Sequence, residues 1–441
     1  MKKILVANRG EIASRIIRTC KKMGIETVAI YSEVDKDLPY VHEADNSVCI
    51  GAGPVSQSYL KMDEIIQIAL SNQVDAIHPG YGLLSENHEF AQKVINHGLI
   101  FIGPTPETIL SMGDKINARQ IMKSHSIPVV SGSQLVQSEE EVLNSASEIG
   151  YPVMLKASSG GGGVGMVICE NDQELLKAYS SVKKRAKLLF GNDHIFIEKY
   201  IKNARHIEVQ IIGDQFGNII HLFERDCSVQ RRNQKVIEET HSPSLSDSAK
   251  CKMYEAALLA AKAVSYVNAG TVEFIVDEDE NFYFLEMNTR LQVEHPITEK
   301  ITGIDLVEWQ IRIAQNEPLA FRQEDLKSNG HAIEFRVYAE DPVTFFPSPG
   351  KIENLKWGEG NVRIDTGYEE GNQVSHFYDP LIAKCIVSGE TRNECLNIAR
   401  RFFETTRISG IKTNIPLFNR ILESPEFLSG DYSTNILKTL N

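Results

Sequence analysis

The spacing of apolar residues changes along this chain, and each change marks a different kind of structure. Near the N-terminus "KILVA" is a short unbroken apolar run. "EIASRIIRTCKKM" then repeats apolar residues at helical spacing up to Gly24, and "TVAIY" is a second short run. The alternation returns with "DAIH", the loop "PGYGLLSEN", a helix and "LIFIG". Strand, helix, strand at this spacing predicts a parallel sheet of doubly wound type. Ligands of such sheets sit where the strands end. The first turn, "ANRGEIA", has one glycine and lacks the G-x-G-x-x-G that cradles a pyrophosphate, which excludes a dinucleotide dehydrogenase.

A helix is predicted from about Lys115 to Ser124. Ser138-x-x-Glu141 reads as a capping box opening the next helix, which Gly150 ends. "YPVMLKA", a glycine loop and "GMVIC" follow as a small α+β unit. From Arg205 the period becomes two: "HIEVQIIG", a turn "DQFGN" and "IIHLFE". "RDCSVQRRNQKVIEE" is expected as an interrupting polar loop, before a helix from Asp247 to about Val264. "TVEFIVD" and "NFYFLEMN" follow with only "EDE" between them. After Gly330, "HAIEFRVYAEDP", the turn "FPSPGK", short strands and a closing helix read as a C-terminal domain.

Composition narrows the function classes. The 441 residues suffice for about two to four domains. A net charge of 46 − 59 = −13 argues against a nucleic acid or an anionic membrane as partner. Seven scattered cysteines without a C-x-x-C indicate neither a zinc site nor a disulfide framework, and fit a cytoplasmic location. No apolar run approaches membrane-spanning length.

The richest chemistry lies in "GTVEFIVDEDENFYFLEMNTRLQVEHP". A tight turn centred on Asp279-Glu280 sets Glu273 opposite Glu286. Two-residue periodicity then adds Asn288 to the face of Glu286, and Arg290 if the strand continues. Facing carboxylates repel, and burying them costs several kcal/mol each unless something compensates. Two carboxylates and an amide oxygen suit Mg²⁺, with phosphates completing its shell. Arg225, Arg231, Arg232 and Lys235 concentrate positive charge in an acidic protein. Beside a metal they become candidate holders of phosphate or another small anion. The loop "KASSGGGGVGMV" contains Gly160-x-Gly162-x-x-Gly165-x-Val167, the kinase glycine pattern. Without H-R-D or D-F-G a protein kinase is unsupported, and the absence of G-x-x-x-x-G-K-[ST] removes the P-loop NTPases.

"ILVANRGEIA", "HPGYGLLSEN", "FIGP", "MGDK", "RHIEVQ", "ERDCSVQRRNQKVIEE", "LEMNTRLQVEHPITE" and "PSPGKI" together resemble biotin carboxylase, an ATP-grasp enzyme, nearly end to end. The resemblance implies an α/β and α+β fold in three domains. These are a Rossmann-like N-terminal domain over 1–112, an ATP-grasp domain over 113–330 with a lid at about 130–203, and a mixed β-rich domain over 331–441. It implies that ATP activates bicarbonate as carboxyphosphate, which delivers CO₂ to the ureido N1 of biotin. By motif position, Lys115 and Lys156 contact ATP phosphates, and Gly162 and Gly163 lie in the lid. Glu198, Lys199 and Ile201 hold adenine, with His206, Gln230 and Asn233 near the nucleotide. Glu273, Glu286 and Asn288 bind Mg²⁺ or Mn²⁺, two ions in all, with Glu273 and Glu286 also counted toward ATP. Lys235, Arg290, Gln292, Val293 and Glu294 bind bicarbonate, and Glu294 is the general base. Arg336 stabilises the enolate-like biotin, and Tyr81 joins it in the biotin site. A glutamate beside lysine and arginine stays ionised and ready to accept a proton. Judged without the family, Glu294 reads as an i, i+4 salt bridge to Arg290.

The sequence departs from the family at the lid, where Val164 takes an arginine's place and Ser159 a glycine's, and at Asn233, usually histidine. No Met-Lys-Met biotinylation motif occurs, since Met122-Lys123 is followed by Ser124. Biotin is therefore expected on a separate biotin carboxyl carrier protein, with carboxyltransferase subunits and a homodimeric chain completing a multi-subunit acetyl-CoA or other acyl-CoA carboxylase. Two rivals are a purine-pathway ATP-grasp ligase and a non-catalytic nucleotide-binding regulator. "RLQVEHP" argues against the first. Lys235, Arg290, Glu294 and Arg336 argue against the second, because a pure binder needs no bicarbonate pocket.

Overall fold

The structure is a computed structural model that describes residues 1–158, 166–191 and 193–440. The first five strands are β1 (Lys3–Val6), β2 (Glu26–Ser32), β3 (Asn46–Gly51), β4 (Ala76–His78) and β5 (Ile100–Phe101). They pair in parallel in the order β3-β2-β1-β4-β5. The order reverses at β1 and β4, so the loops after these strands border the crevice of a doubly wound sheet. Asn8 closes that crevice, donating its amide to the carbonyls of Pro79 (2.6 Å) and Tyr81 (2.8 Å). The helix Gly10–Lys22 buries Ile12, Ala13, Ile16, Ile17 and Cys20, the apolar stripe read from sequence.

A three-stranded antiparallel sheet follows: β6 (Val153–Ala157), β7 (Met166–Cys169) and β8 (Ile195–Lys199), in the order β7-β6-β8. The helices Glu139–Ile149 and Asp172–Phe190 pack beside it. Only half of the expected capping box forms. Ser138 Oγ accepts from the Glu141 N–H (3.2 Å), but the Glu141 carboxylate accepts from the N–H of Gln137 (2.8 Å). The loop between β6 and β7, with Ser159, Gly162, Gly163 and Val164, lies outside the described residues.

The largest sheet contains β9 (Arg205–Gly213), β10 (Ile219–Arg231), β11 (Gln234–Thr240), β12 (Asn268–Val276), β13 (Phe282–Asn288) and β14 (His331–Tyr338). After the short β15 (Gly350–Lys351) and β16 (Asn354–Lys356) it gains β17 (Val362–Thr366). After β18 (Gln373–Val374) it gains β19 (Leu381–Gly389). The order is β13-β12-β9-β10-β11-β14-β19-β17, so strands before and after residue 330 form one sheet.

Two sequence expectations are corrected here. "RDCSVQRRNQKVIEE" is no loop but the body of the β10–β11 hairpin, turned by Arg232 (φ +50°) and Asn233 (φ +64°). Positive φ at both central residues is the type I′ signature, which matches strand twist. Apart from the exposed tip at 232–234, its polar side chains are buried and paired mostly with groups on other elements, as Arg225 with Glu208, Arg231 with Glu340 and Glu239 with Arg392. The β12–β13 turn spans 277–281 rather than two residues, with Asp277 accepting from the N–H groups of Asp279 and Asn281. Phe274 therefore pairs with Phe284, one place away from the expected register. A bulge beside Glu273 cancels the difference and still sets Glu273 opposite Glu286.

Candidate functional site

Lys235 organises the site. Its ammonium lies 2.5 Å from Glu208, 2.9 Å from Glu273 and 2.8 Å from Glu294. β9, β12 and the turn ahead of the helix His295–Thr302 bring those acids to one face of the large sheet. The β10–β11 register slips between Gln230↔Lys235 and Val229↔Ile237. Lys235 and Glu238, three residues apart, therefore share the field of Glu294.

Glu294 is fully buried. Its Oε1 accepts from Lys235 and from the Cys227 thiol (3.7 Å), and its Oε2 from Arg336 Nη2 (2.8 Å). Burial alone would raise its pKa. Lys235, Arg336 and Arg225 outweigh that and hold the carboxyl well below the usual range. The salt bridge to Arg290 suggested by spacing does not form, because residues 290–294 precede the helix rather than lie in it. Arg290 instead donates to Glu86 (2.8 Å), Gln292 (2.7 Å) and Asn288 (2.9 Å). Gln292 passes the link on by donating to Glu273 (2.8 Å). The Val293 carbonyl accepts from Lys384 (2.8 Å).

Glu273 is opposed by the same balance. Burial raises it, and Lys235 and His206 hold it well below the usual range. His206 donates from Nε2 to Glu273 (2.6 Å) while its Nδ1 accepts from Gln230 (2.7 Å). Glu286 is partly exposed and pairs with Lys115 at 3.2 Å. Asn288 turns its amide N–H toward Glu273 (2.8 Å) and its oxygen toward Arg290. The donor set is all oxygen and suits a hard divalent cation. Asn288 contributes an oxygen only with its amide turned over.

The nucleotide candidates gather beside this face. Glu198, on β8, contacts both Arg119 and Lys156. Lys199 spends its ammonium on the carbonyls of Gly150 and Tyr151, so only its main chain is left to meet a ligand. Ile201 is half-buried just beyond β8, and Asn233 is exposed at the hairpin tip. The Tyr81 hydroxyl bonds Glu11, which also pairs with Lys384 at 3.1 Å.

The basic cluster read from sequence is corrected. Arg225 is fully buried and committed to Glu208 (2.5 Å), Gln210, Thr298 and Thr271. Arg231 is committed to Glu340 and Gln234. Neither is available to an incoming anion. Sequence reasoning missed Glu11, Glu86, Glu208, Glu238 and Lys384. Glu11 and Glu86 follow β1 and β4 at the switch point, a position that could have flagged them.

Comparison with known proteins agrees with this architecture. Residues 1–109 match the biotin carboxylase N-terminal domain, 114–322 the carbamoyl-phosphate synthase L chain ATP-binding domain, and 334–439 the biotin carboxylase C-terminal domain. The chain is 54% identical over 438 residues to Biotin carboxylase 2 of Bacillus subtilis (strain 168), covering 99% of each. It is 48% identical to the propionyl-CoA carboxylase alpha chain of Ruegeria pomeroyi, covering 98% of this chain and 67% of that one. It superposes with a TM-score of 0.97, at 46% identity, on a Campylobacter jejuni biotin carboxylase in a β,γ-ATP complex, covering 99% and 98% of the chains. It does so equally, at 46% identity and covering 99% and 97%, on the biotin carboxylase domain dimer of Hydrogenobacter thermophilus 2-oxoglutarate carboxylase, bound to MgADP, ADP and bicarbonate. The chain belongs to the biotin carboxylase family of ATP-grasp enzymes and is an ATP-dependent ligase.

Proposed function

We propose that this enzyme uses ATP and bicarbonate to carboxylate biotin borne on a separate carrier protein, with Glu294 as the base. The observation that carries the assignment of the base is a buried, ionised Glu294 held by Lys235 and Arg336 together. Bicarbonate sits between Lys235 and Arg290, with Gln292 and the main chain of Val293 orienting it. Glu294 takes its proton. The freed oxygen attacks the γ-phosphorus of ATP, the bond to ADP breaks, and carboxyphosphate results. Its C–O bond then cleaves to give CO₂ and phosphate; the phosphate takes the proton of the ureido N1, and N1 forms the new bond to the carbon of CO₂. Fixed cations offset the charge that develops, and Arg336 faces the negative charge on the ureido oxygen.

Glu273, Glu286 and Asn288 would hold Mg²⁺ or Mn²⁺, which neutralises the phosphates. Lys115 and Lys156 meet the phosphate chain, with Glu198, Lys199, Ile201, His206, Gln230 and Asn233 around the nucleoside. The lid role that the resemblance implies for Gly162 and Gly163 falls on residues outside those described. Arg336 and Tyr81 hold biotin. The domain limits proposed are 1–112, 113–330 and 331–441.

Relatives include chains of both propionyl-CoA and methylcrotonoyl-CoA carboxylases, so the likeness by itself does not name the acyl acceptor. Acetyl-CoA carboxylation for fatty-acid synthesis is proposed on the resemblance alone. A homodimer is supported by the dimeric domain it superposes on. A cytoplasmic site is supported by seven unpaired cysteines. Among the described residues no helix is long and apolar enough to cross a membrane. Isotope transfer tests the chemistry: ¹⁸O-bicarbonate must label the phosphate released. Unlabelled phosphate during carboxylation would contradict the carboxyphosphate route.

A further inference from the structure

We propose that Glu238 and Glu334 share one proton and act together as a positioning pair for Arg336. Glu238 on β11 and Glu334 on β14 are direct register partners across antiparallel strands, and both are fully buried. Like charges so placed repel, and without water the repulsion is larger. Among the described residues none of their four carboxylate oxygens accepts a hydrogen bond of regular geometry. The nearest cation is Arg336, whose Nε stands 2.7 Å from Glu238 as an ion pair.

The surrounding cations are already engaged. Arg336 gives its Nη2 to Glu294. Lys384, its register partner on β19, turns to Glu11 and the Val293 carbonyl. Lys235 is shared among Glu208, Glu273 and Glu294. His295, on the helix packed over β14, is held neutral by burial, with Lys384 and Arg15 adding to the effect. The nearby thiols Cys227 and Cys385 are buried and raised, so they add no charge. Asp365, beyond Lys384, is paired with Arg363. Among the described residues no cation pairs directly with Glu334, and Lys384 and Arg336, both engaged elsewhere, only partly offset its burial.

A proton resolves this arrangement. Burial raises Glu334 well above the usual carboxylate range, and raises Glu238, which Arg336 partly offsets, only to about 7. Glu334 is therefore the acid and Glu238 the carboxylate, one proton serving both. The charge kept on Glu238 fixes Arg336 from its Nε side while Nη2 reaches Glu294. Neither glutamate is placed against substrate, so both act through Arg336. The kinetic half of this inference rests on the proposed role of Arg336 toward biotin.

Two measurements on the intact chain test it. Infrared difference spectra of wild type and Glu334→Gln, at neutral to mildly alkaline pH, should contain a protonated carboxyl stretch that the substitution removes. Absence of that band from wild type would overturn the shared proton, whatever the enzyme's activity. Bicarbonate-dependent ADP release with free biotin as substrate should give Glu238→Gln a KM for biotin about tenfold higher at unchanged KM for ATP. Glu238→Asp, which keeps the charge, should recover part of the loss. An unchanged KM for biotin in both variants would overturn the positioning role. If Glu238→Gln does not fold, Glu238→Asp and the infrared band decide. If wild type releases no ADP under bicarbonate, the functional reading fails while the infrared result still judges the pair.

Discussion

Lys235 Nζ stands 2.8 Å from Glu294 Oε1, a contact between residues 59 positions apart in sequence. One ammonium there serves three buried carboxylates, two of them fully buried. The contact fixes the ionisation of the proposed base and also stabilises the sheet.

Lys235→Met should therefore cost both stability and activity. Removing one partner of a buried ion pair typically costs about 3–5 kcal/mol. Urea unfolding should reveal a loss of that order, and ADP release should fall about 100-fold or more. A loss below about 1 kcal/mol would mean that the acids find other partners.

Acid should weaken the contact that holds the C-terminal segment. Glu239 accepts from His331 (2.7 Å), Arg392 (2.7 and 2.9 Å) and Tyr432 (2.6 Å). Burial raises it, but the bonds from His331 and Arg392 lower it from 4.5 to about 2. A folded value below the unfolded one means the stabilisation is complete above the unfolded value and lost as pH falls through the folded one. The expected loss between pH 4.5 and about 2 is of order 3 kcal/mol. Unfolding curves of Glu239→Gln should be flatter over that window than those of wild type.

The Arg232-Asn233 turn should respond to backbone preference. Asn233 has φ +64°, where alanine should cost about 1 kcal/mol while glycine stays near neutral. Melting temperatures of Asn233→Ala and Asn233→Gly should separate in that order.

Glu198 should matter for nucleotide more than for turnover. Glu198→Gln removes the partner shared by Arg119 and Lys156. Steady-state kinetics should give a KM for ATP about tenfold higher, with kcat less affected. Equal losses in both would place the residue elsewhere in the cycle.

Local patterns made much of this protein legible. Apolar spacing found the doubly wound sheet and the helices Gly10–Lys22, Lys115–Ser124 and Asp247–Ala263. Strand periodicity found the Glu273–Glu286 pairing even though the turn was misjudged, because the longer loop and the bulge cancel. "RDCSVQRRNQK" was misread since polarity ordinarily signals solvent. Here Arg225 meets Glu208 across the β9–β10 hairpin, and Lys235 meets Glu294 on the turn ahead of the helix His295–Thr302, 59 positions away, a pairing that no local pattern encodes. Glu238 and Glu334 were invisible for the same reason: their opposition exists only once β11 lies beside β14.

The proposed chemistry turns on Glu294 deprotonating bicarbonate for attack on ATP. The most direct measurement is ADP release from Mg-ATP, with and without bicarbonate and free biotin, in wild type and Glu294→Gln. Release should require bicarbonate, rise with biotin and fall about 100-fold or more in the variant. Tight ATP binding with no bicarbonate-dependent release, or a variant as active as wild type, would contradict it.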